Sequence, residues 1–230
     1  MTVLDPDLLL RAYAIGVFPM ADSRDASDVF WVEPRRRAII PLDDFHLSRS
    51  LRRTVRSGEF AVTRDIAFAQ VLAQCAEREE TWINDSIQRG FTELHRLGHA
   101  HSIECWLQDE LVGGLYGVKL GCAFFGESMF SLRRDASKVA LAWLVARMKV
   151  GGFRLLDCQF MTEHLRSLGA VEITQKAYVS MLSEALSSGS EAGGGAEFGA
   201  LERLLGADSS RTVDPAAPGC VIAQLLGQTS

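Results

Sequence analysis

No apolar run in this 230-residue chain approaches the ~20 residues that a membrane-spanning helix needs. Met1 to Arg11 lack a basic start followed by an apolar stretch, so no signal peptide is expected and a cytoplasmic protein is. Cysteine is scarce and unpatterned: Cys75, Cys105, Cys122, Cys158 and Cys220 are odd in number, and no two are spaced C-x-x-C. That argues against a disulfide framework and against a cysteine zinc site, and leaves reduced, mostly buried thiols. A basic excess is also missing. The net charge of −5 excludes a general polyanion-binding coat. What is there, 47% hydrophobic and 23% charged residues, is the composition of a folded globule of one or two domains.

Punctuation along the chain divides it. Asp5-Pro6 ahead of Leu8, Leu9, Leu10, Ala12 and Tyr13 predicts a capped helix stopped by Gly16. Residues 20–64 read as irregular and rich in arginine. Ser48 is placed to cap a helix carrying Arg49, Arg52, Arg53 and Arg56 at spacings of three and four, hence on one face. Between Arg35 and Arg56 seven arginines stand against two acidic residues, so a local polyanion-facing patch survives the acidic average. Helices are expected over 66–76 and 86–97. From Ser102 the pattern alternates through Leu107, Leu111 to Lys119 and Ala123 to Phe130, with tight turns between, which predicts an antiparallel meander. Asp135 then opens an apolar helix, Ala136 to Val150, leading to a strand within 153–160. The expected class is α+β: a small mixed N-terminal domain (1–64) and an acyl-CoA N-acetyltransferase-like domain (65–186) of meander, buried helix and further strand. Residues 187–230, opening on Ser187-Ser188-Gly189-Ser190, are expected to form a low-complexity, mainly disordered tail, with a short amphipathic helical piece over Phe198 to Leu205 and an apolar docking piece over Val221 to Leu226.

Polar groups interrupt the apolar strands at two places. Gly126-Glu127-Ser128-Met129-Phe130 and Leu156-Asp157-Cys158-Gln159 hold Glu127, Asp157 and Gln159 where an unpartnered polar side chain costs several kcal/mol in order of magnitude. Strand alternation aims Asp157 and Gln159 at one face, with Leu156 and Cys158 on the other. A strand-end pair satisfied by backbone is the plain alternative to a site. His95, His99 and His101 cluster in sequence, but no cysteine or acidic residue completes a ligand set beside them, so no metal is expected.

These words, together with Gly16-Val17-Phe18-Pro19, Phe45-His46-Leu47-Ser48-Arg49-Ser50, Thr81-Trp82-Ile83 and Leu97-Gly98-His99-Ala100-His101-Ser102, resemble the bacterial leucyl/phenylalanyl-tRNA–protein transferases, colinearly from about Leu8 to about Leu186. The resemblance implies the N-acetyltransferase-like fold and transfer of leucine or phenylalanine from charged tRNA to the N-terminus of proteins beginning with Lys or Arg. In the N-end rule that product is a degradation signal. It implies that Asp157 and Gln159 handle the proton of the attacking amine, or leave that to the terminal adenosine of the tRNA, and that Glu127 positions the adenosine and the ester. Leu115, Phe124, Met129, Leu141 and Leu144 stand at positions matching the aminoacyl pocket, and Trp82 at the adenine-stacking position. Arg49, Arg52, Arg53 and Arg56 are the candidates for gripping the acceptor stem. No cofactor, metal or membrane partner is implied. Two positions depart from the family pattern: Phe91 replaces a tyrosine and Met20 a tryptophan. An acyl-CoA N-acetyltransferase is the alternative, but it needs a glycine-rich cradle where Arg133-Arg134-Asp135-Ala136-Ser137-Lys138-Val139 has no glycine. A non-enzymatic RNA-binding module leaves Glu127, Asp157 and Gln159 unexplained.

Overall fold

The computed structural model describes residues 4–78, 80–191, 195–206 and 216–227. Its helices are α1 (Pro6–Ala14), α2 (Arg49–Ser57), α3 (Phe68–Ala76), α4 (Asp85–Arg96), α5 (Ala136–Val150), α6 (Glu163–Arg166), α7 (Gln175–Glu191), α8 (Ala200–Leu204) and α9 (Ala216–Leu225). Its strands are β1 (Phe18–Met20), β2 (Phe30–Val32), β3 (Arg36–Ile40), β4 (Ala61–Arg64), β5 (Ala100–Leu107), β6 (Glu110–Leu120), β7 (Ala123–Ser131), β8 (Leu155–Gln159) and β9 (Val171–Thr174). β1 and β2 form a separate ribbon; the others make one sheet in the order β4-β5-β6-β7-β8-β3-β9.

The expected meander is β5-β6-β7. Its first turn, Gln108-Asp109, has both residues at positive φ, the two-residue hairpin geometry that matches strand twist. Among the described residues β7 and β8 are the one parallel pair, and a parallel neighbour requires a crossover. α5 supplies it. Twelve of its fifteen residues are buried, so it is apolar on nearly every side, as a helix sealed between sheet and outer helices must be.

The boundary expected at residue 64 is crossed by the sheet. β3, from the stretch read as irregular, is hydrogen-bonded between β8 and β9. Its run Ala38-Ile39-Ile40 is at most 4% exposed, but three apolar residues behind three arginines are too short a signal to mark a central strand. β4 pairs with β5 at the sheet edge.

The disordered tail is a second correction. α7 runs past Leu186, and the segment around Phe198 docks on α5. Phe198 is 4% exposed and stacks on Phe124 and His101, with centroids 5.4 and 4.2 Å apart. The buried Arg147 donates to the Phe198 carbonyl at 2.6 Å and to Glu202. α9 packs on α2 so tightly that a Cβ on Gly219 would lie 2.1 Å from the Val55 carbonyl. The pieces over Phe198 to Leu205 and Val221 to Leu226 are the anchors, and the polar, glycine-rich composition around them conceals how much of the tail they hold in place. Residues 192–194, 207–215 and 228–230, which share that expectation, lie outside the described residues.

Candidate active site

β7 and β8 are paired only from Ala123↔Leu155 to Phe125↔Asp157. β7 then stays with β6 as far as Ser131, the two strands part, and a cavity of about 680 Å³ fills the gap. Leu156, Cys158 and Gln159 of β8 line one wall, and Gly126 to Ser131 of β7 the other. α5 contributes Leu141 and Leu144; the stretch between α3 and α4 contributes Glu77, Arg78 and Trp82. The volume falls in the range of pockets for small organic ligands.

Glu127 enters this cavity through a register fault. Tyr116 faces Ser128 and Gly117 faces Gly126, so Glu127 is the extra residue of a β-bulge, the device by which a strand re-aims one side chain. Gly117 is obligatory opposite it, because a Cβ there would stand 2.2 Å from the Phe125 carbonyl. Glu127 Oε1 accepts from the Tyr13 hydroxyl at 2.7 Å and from Gln159 Nε2 at 2.8 Å. Oε2 is buried and accepts from no group among the described residues. Burial pushes the Glu127 carboxyl up to about 7; the Tyr13 and Gln159 hydrogen bonds pull against that and the charge of Asp157 adds to it.

Gln159 reaches Glu127 by a bent backbone and not by strand alternation. Its φ is +61°, a left-handed conformation unusual outside glycine, and its N–H donates to Asp157 Oδ1 at 2.8 Å, which holds the bend. Asp157 itself does not line the cavity. Arg37 Nε donates to both of its oxygens at 2.9 and 3.0 Å, Arg37 Nη2 to Oδ2 at 2.6 Å, and the Tyr178 hydroxyl to Oδ2 at 2.7 Å. The expectation that Asp157 and Gln159 share a face is therefore overturned: Asp157 turns toward Arg37 and α7, while the bend brings Gln159 round to the side of Leu156 and Cys158. Arg37 is 1% exposed, lies 4.6 Å from the ring centres of both Phe18 and Tyr178, and donates to the Gly16 carbonyl at 3.0 Å.

The family model for leucyl/phenylalanyl-tRNA protein transferase matches residues 39–183, and the model for its N-terminal domain matches residues 3–35. The chain belongs to the leucyl/phenylalanyl-tRNA protein transferase family. A protein of that name from Rhizorhabdus wittichii is 58% identical over 248 residues, covering 100% of both chains. Another, from Zymomonas mobilis, is 60% identical over 190 residues, 81% of this chain and 71% of that one. Among solved structures, FemX superposes with a TM-score of 0.49 at 12% identity over 73% of this chain and 66% of that chain.

In this transferase four of the five expected pocket residues, Leu115, Met129, Leu141 and Leu144, line the cavity. Phe124 does not. It is fully buried, and its ring stacks on Phe198. Trp82 lines the cavity and is half-buried, its carbonyl accepting from the Ala21 N–H at 3.1 Å. Phe91 is fully buried with its edge against Tyr116, whose hydroxyl is itself buried and has no hydrogen-bond partner among the described residues. Met20 packs partly buried against the core.

Arg49, Arg52, Arg53 and Arg56 are exposed on α2, which Ser48 caps by accepting from the Leu51 N–H at 3.2 Å. Among the described residues none of the four is in a salt bridge, and the nearby acidic Asp43 pairs with Lys149 at 2.8 Å. α2 packs against α5, the helix that carries Leu141 and Leu144. The histidines secure the entry to β5: His95 Nδ1 is 2.8 Å from the Ala100 carbonyl and His101 Nδ1 2.9 Å from Asp65. Burial raises the Asp65 carboxyl, but the His101 hydrogen bond and charge, with the Ser102 N–H, outweigh it and hold Asp65 below the ordinary range. Among the described residues no group of three or more His, Cys, Asp or Glu could hold a metal ion, and no helix is long and apolar enough to cross a membrane.

Arg37, Tyr13 and Tyr178 were missed by sequence reasoning. Tyr13 carries a signal, since it follows Leu9 by four residues on the buried face of α1. Arg37 could be found only by asking which of three adjacent arginines opens a buried strand.

Proposed function

We propose that the protein moves leucine or phenylalanine from the 3′ end of its tRNA to the α-amino group of an acceptor protein, preferring an N-terminal Lys or Arg, and so marks that protein for degradation. The observation that carries this reading is the hydrogen-bonded Glu127–Gln159 pair set in the wall of an otherwise largely apolar cavity between β7 and β8. Leu115, Met129, Leu141 and Leu144 suit an unbranched-β apolar side chain. Such walls discriminate by only ~1–3 kcal/mol per methylene, so some methionine transfer is expected. Trp82 offers a ring for the terminal adenine, worth ~1–3 kcal/mol if stacked. Glu127 and Gln159 are the polar groups that meet the ester and the incoming amine, and Gln159 Oε1 can accept from that amine once its Nε2 is engaged by Glu127. Asp157 serves by fixing the bend at Gln159 and neutralising Arg37. The four arginines of α2 are the candidates for backbone contacts to the acceptor stem, which position without reading bases. The ester bond already stores the energy of the new peptide bond, so the chemistry requires no nucleotide hydrolysis. The test is incubation with radiolabelled Leu-tRNA and an Arg-starting peptide without ATP. Label on the peptide is expected; label that leaves the tRNA only as free leucine would refute the reading.

A further inference from the structure

The cavity holds one carboxylate whose hydrogen bonding is left half made. Glu127 is 7% exposed and lines the cavity, and both of its contacts fall on a single oxygen: Tyr13 and Gln159 donate to Oε1. Oε2 is equally withdrawn from solvent and has no protein donor among the described residues. A buried carboxylate oxygen without a donor is disfavoured unless it serves something that arrives later. Asp157, the carboxylate that sequence reasoning put forward, is in the opposite state. Its two oxygens take five short contacts from Arg37, Tyr178 and the Gln159 N–H, and it does not reach the cavity. A group so engaged has neither a free lone pair nor a path to a substrate.

We propose that Glu127 Oε2, and not Asp157, takes the proton of the attacking α-amine and returns it to the departing ribose oxygen. This rests on the transfer reading above. The amine attacks the ester carbonyl carbon as the free base, and its lone pair forms the new N–C bond. The proton that nitrogen must lose passes to Oε2. The tetrahedral species collapses with cleavage of the C–O bond to the ribose, the oxygen keeps the bonding pair, and the proton on Oε2 goes to it. Glu127 ends as it began, and the products are an amide and a 3′-hydroxyl.

The surroundings suit a group that both takes and gives. A carboxylate pushed up to about 7 by burial is half protonated near neutrality, where general catalysis by one residue in both directions is most efficient. The groups that face it are Tyr13 on α1, Gln159 and Asp157 on β8, Tyr116 on β6 and Arg37 on β3. Tyr13 and Tyr116 are both held far above the ordinary tyrosine range, by burial first and by Glu127 second, so neither competes for the proton. Arg37 stays charged, and His164, the other titratable group of the near-neutral range that lines the cavity, is held below the ordinary histidine range by burial and by the charge of Lys138, so an inflection that the Glu127 variants abolish belongs to Glu127.

The experiment measures kcat and KM for transfer from a minimal aminoacyl-adenosine donor to an Arg-starting peptide, from about pH 5.5 to about pH 9, for the wild type, Glu127→Gln, Glu127→Asp and Tyr13→Phe. Two acceptors whose α-amines differ in basicity separate the two titrations: an inflection that follows the amine belongs to the substrate, and one that stays belongs to the enzyme. In the wild type a fixed inflection near 7 is expected. Glu127→Gln should abolish it and lower kcat by about 10² to 10⁴ with KM for the donor little changed. Glu127→Asp should keep the inflection with partial rate. Tyr13→Phe should move it upward, because the lost hydrogen bond had favoured the ionised form. A Glu127→Gln enzyme within about threefold of the wild-type kcat, or one that loses only donor KM, overturns the proposal and leaves the transfer reading intact. A wild type that transfers nothing from charged tRNA overturns the transfer reading itself.

Discussion

Replacing Asp157 by alanine should unfold this protein more than it disables its chemistry. The substitution strands the Arg37 guanidinium, 1% exposed between Phe18 and Tyr178, with the Gly16 carbonyl as its remaining acceptor. Breaking a buried ion pair from one side costs about 3–5 kcal/mol. The Tyr178 hydroxyl and the Gln159 N–H lose their acceptor too, at about 1–3 kcal/mol each in isolation; because all share one site, the losses do not add. Against a total stability of ~5–15 kcal/mol, the variant should sit near the limit of folding. Urea unfolding followed by tryptophan fluorescence measures it. The decisive comparison is the double variant Arg37→Met with Asp157→Leu. Removing both charges together is often close to neutral, so the double variant should recover most of the loss, giving a coupling of about 2 kcal/mol or more. An Asp157→Ala protein that unfolds within about 1 kcal/mol of the wild type and yet has lost turnover would refute the structural role and return Asp157 to the chemistry.

Phe124→Ala should destabilise the fold by about 3–5 kcal/mol through the cavity it opens against Phe198, while the preference for leucine over other amino acids, read from competing charged tRNAs, stays unchanged. Glu127→Gln should be more stable than the wild type at alkaline pH. The folded protein holds a proton up to about 7 that the unfolded chain releases near 4.5, so wild-type stability declines as pH rises through that window, by about 3 kcal/mol in all, and the variant escapes the decline; parallel curves of Tm against pH would contradict this. Changing Arg52 and Arg53 together to alanine should raise KM for charged tRNA, reduce the log–log salt slope by about 1.8, and spare transfer from aminoacyl-adenosine; equal losses with both donors would remove α2 from the tRNA path.

Local chemistry was legible in the sequence wherever a pattern repeats or a residue type has one physical use. The alternation of β5 to β7, the tight turn after Leu107, the apolar helix α5 and the Ser48 cap are all of that kind, and the structure has each. So were the polar intrusions at Glu127, Asp157 and Gln159, because a polar residue in an apolar strand advertises itself whatever it does. Their division of labour was not legible. It depends on a bulge that adds Glu127 to the strand, a left-handed bend that turns Gln159 against its alternation, and an arginine 120 residues before Asp157 that claims that carboxylate. Phe124 could not be told from a cavity residue for the same reason: period two says that a side chain faces one side of a sheet, and only packed coordinates say whether ligand or Phe198 waits there. Alternation and capping are properties of neighbouring residues and travel with the sequence. Where β7 parts from β8, and which of two carboxylates keeps an oxygen free, are set by contacts between residues far apart in the chain, and those exist only once it has folded.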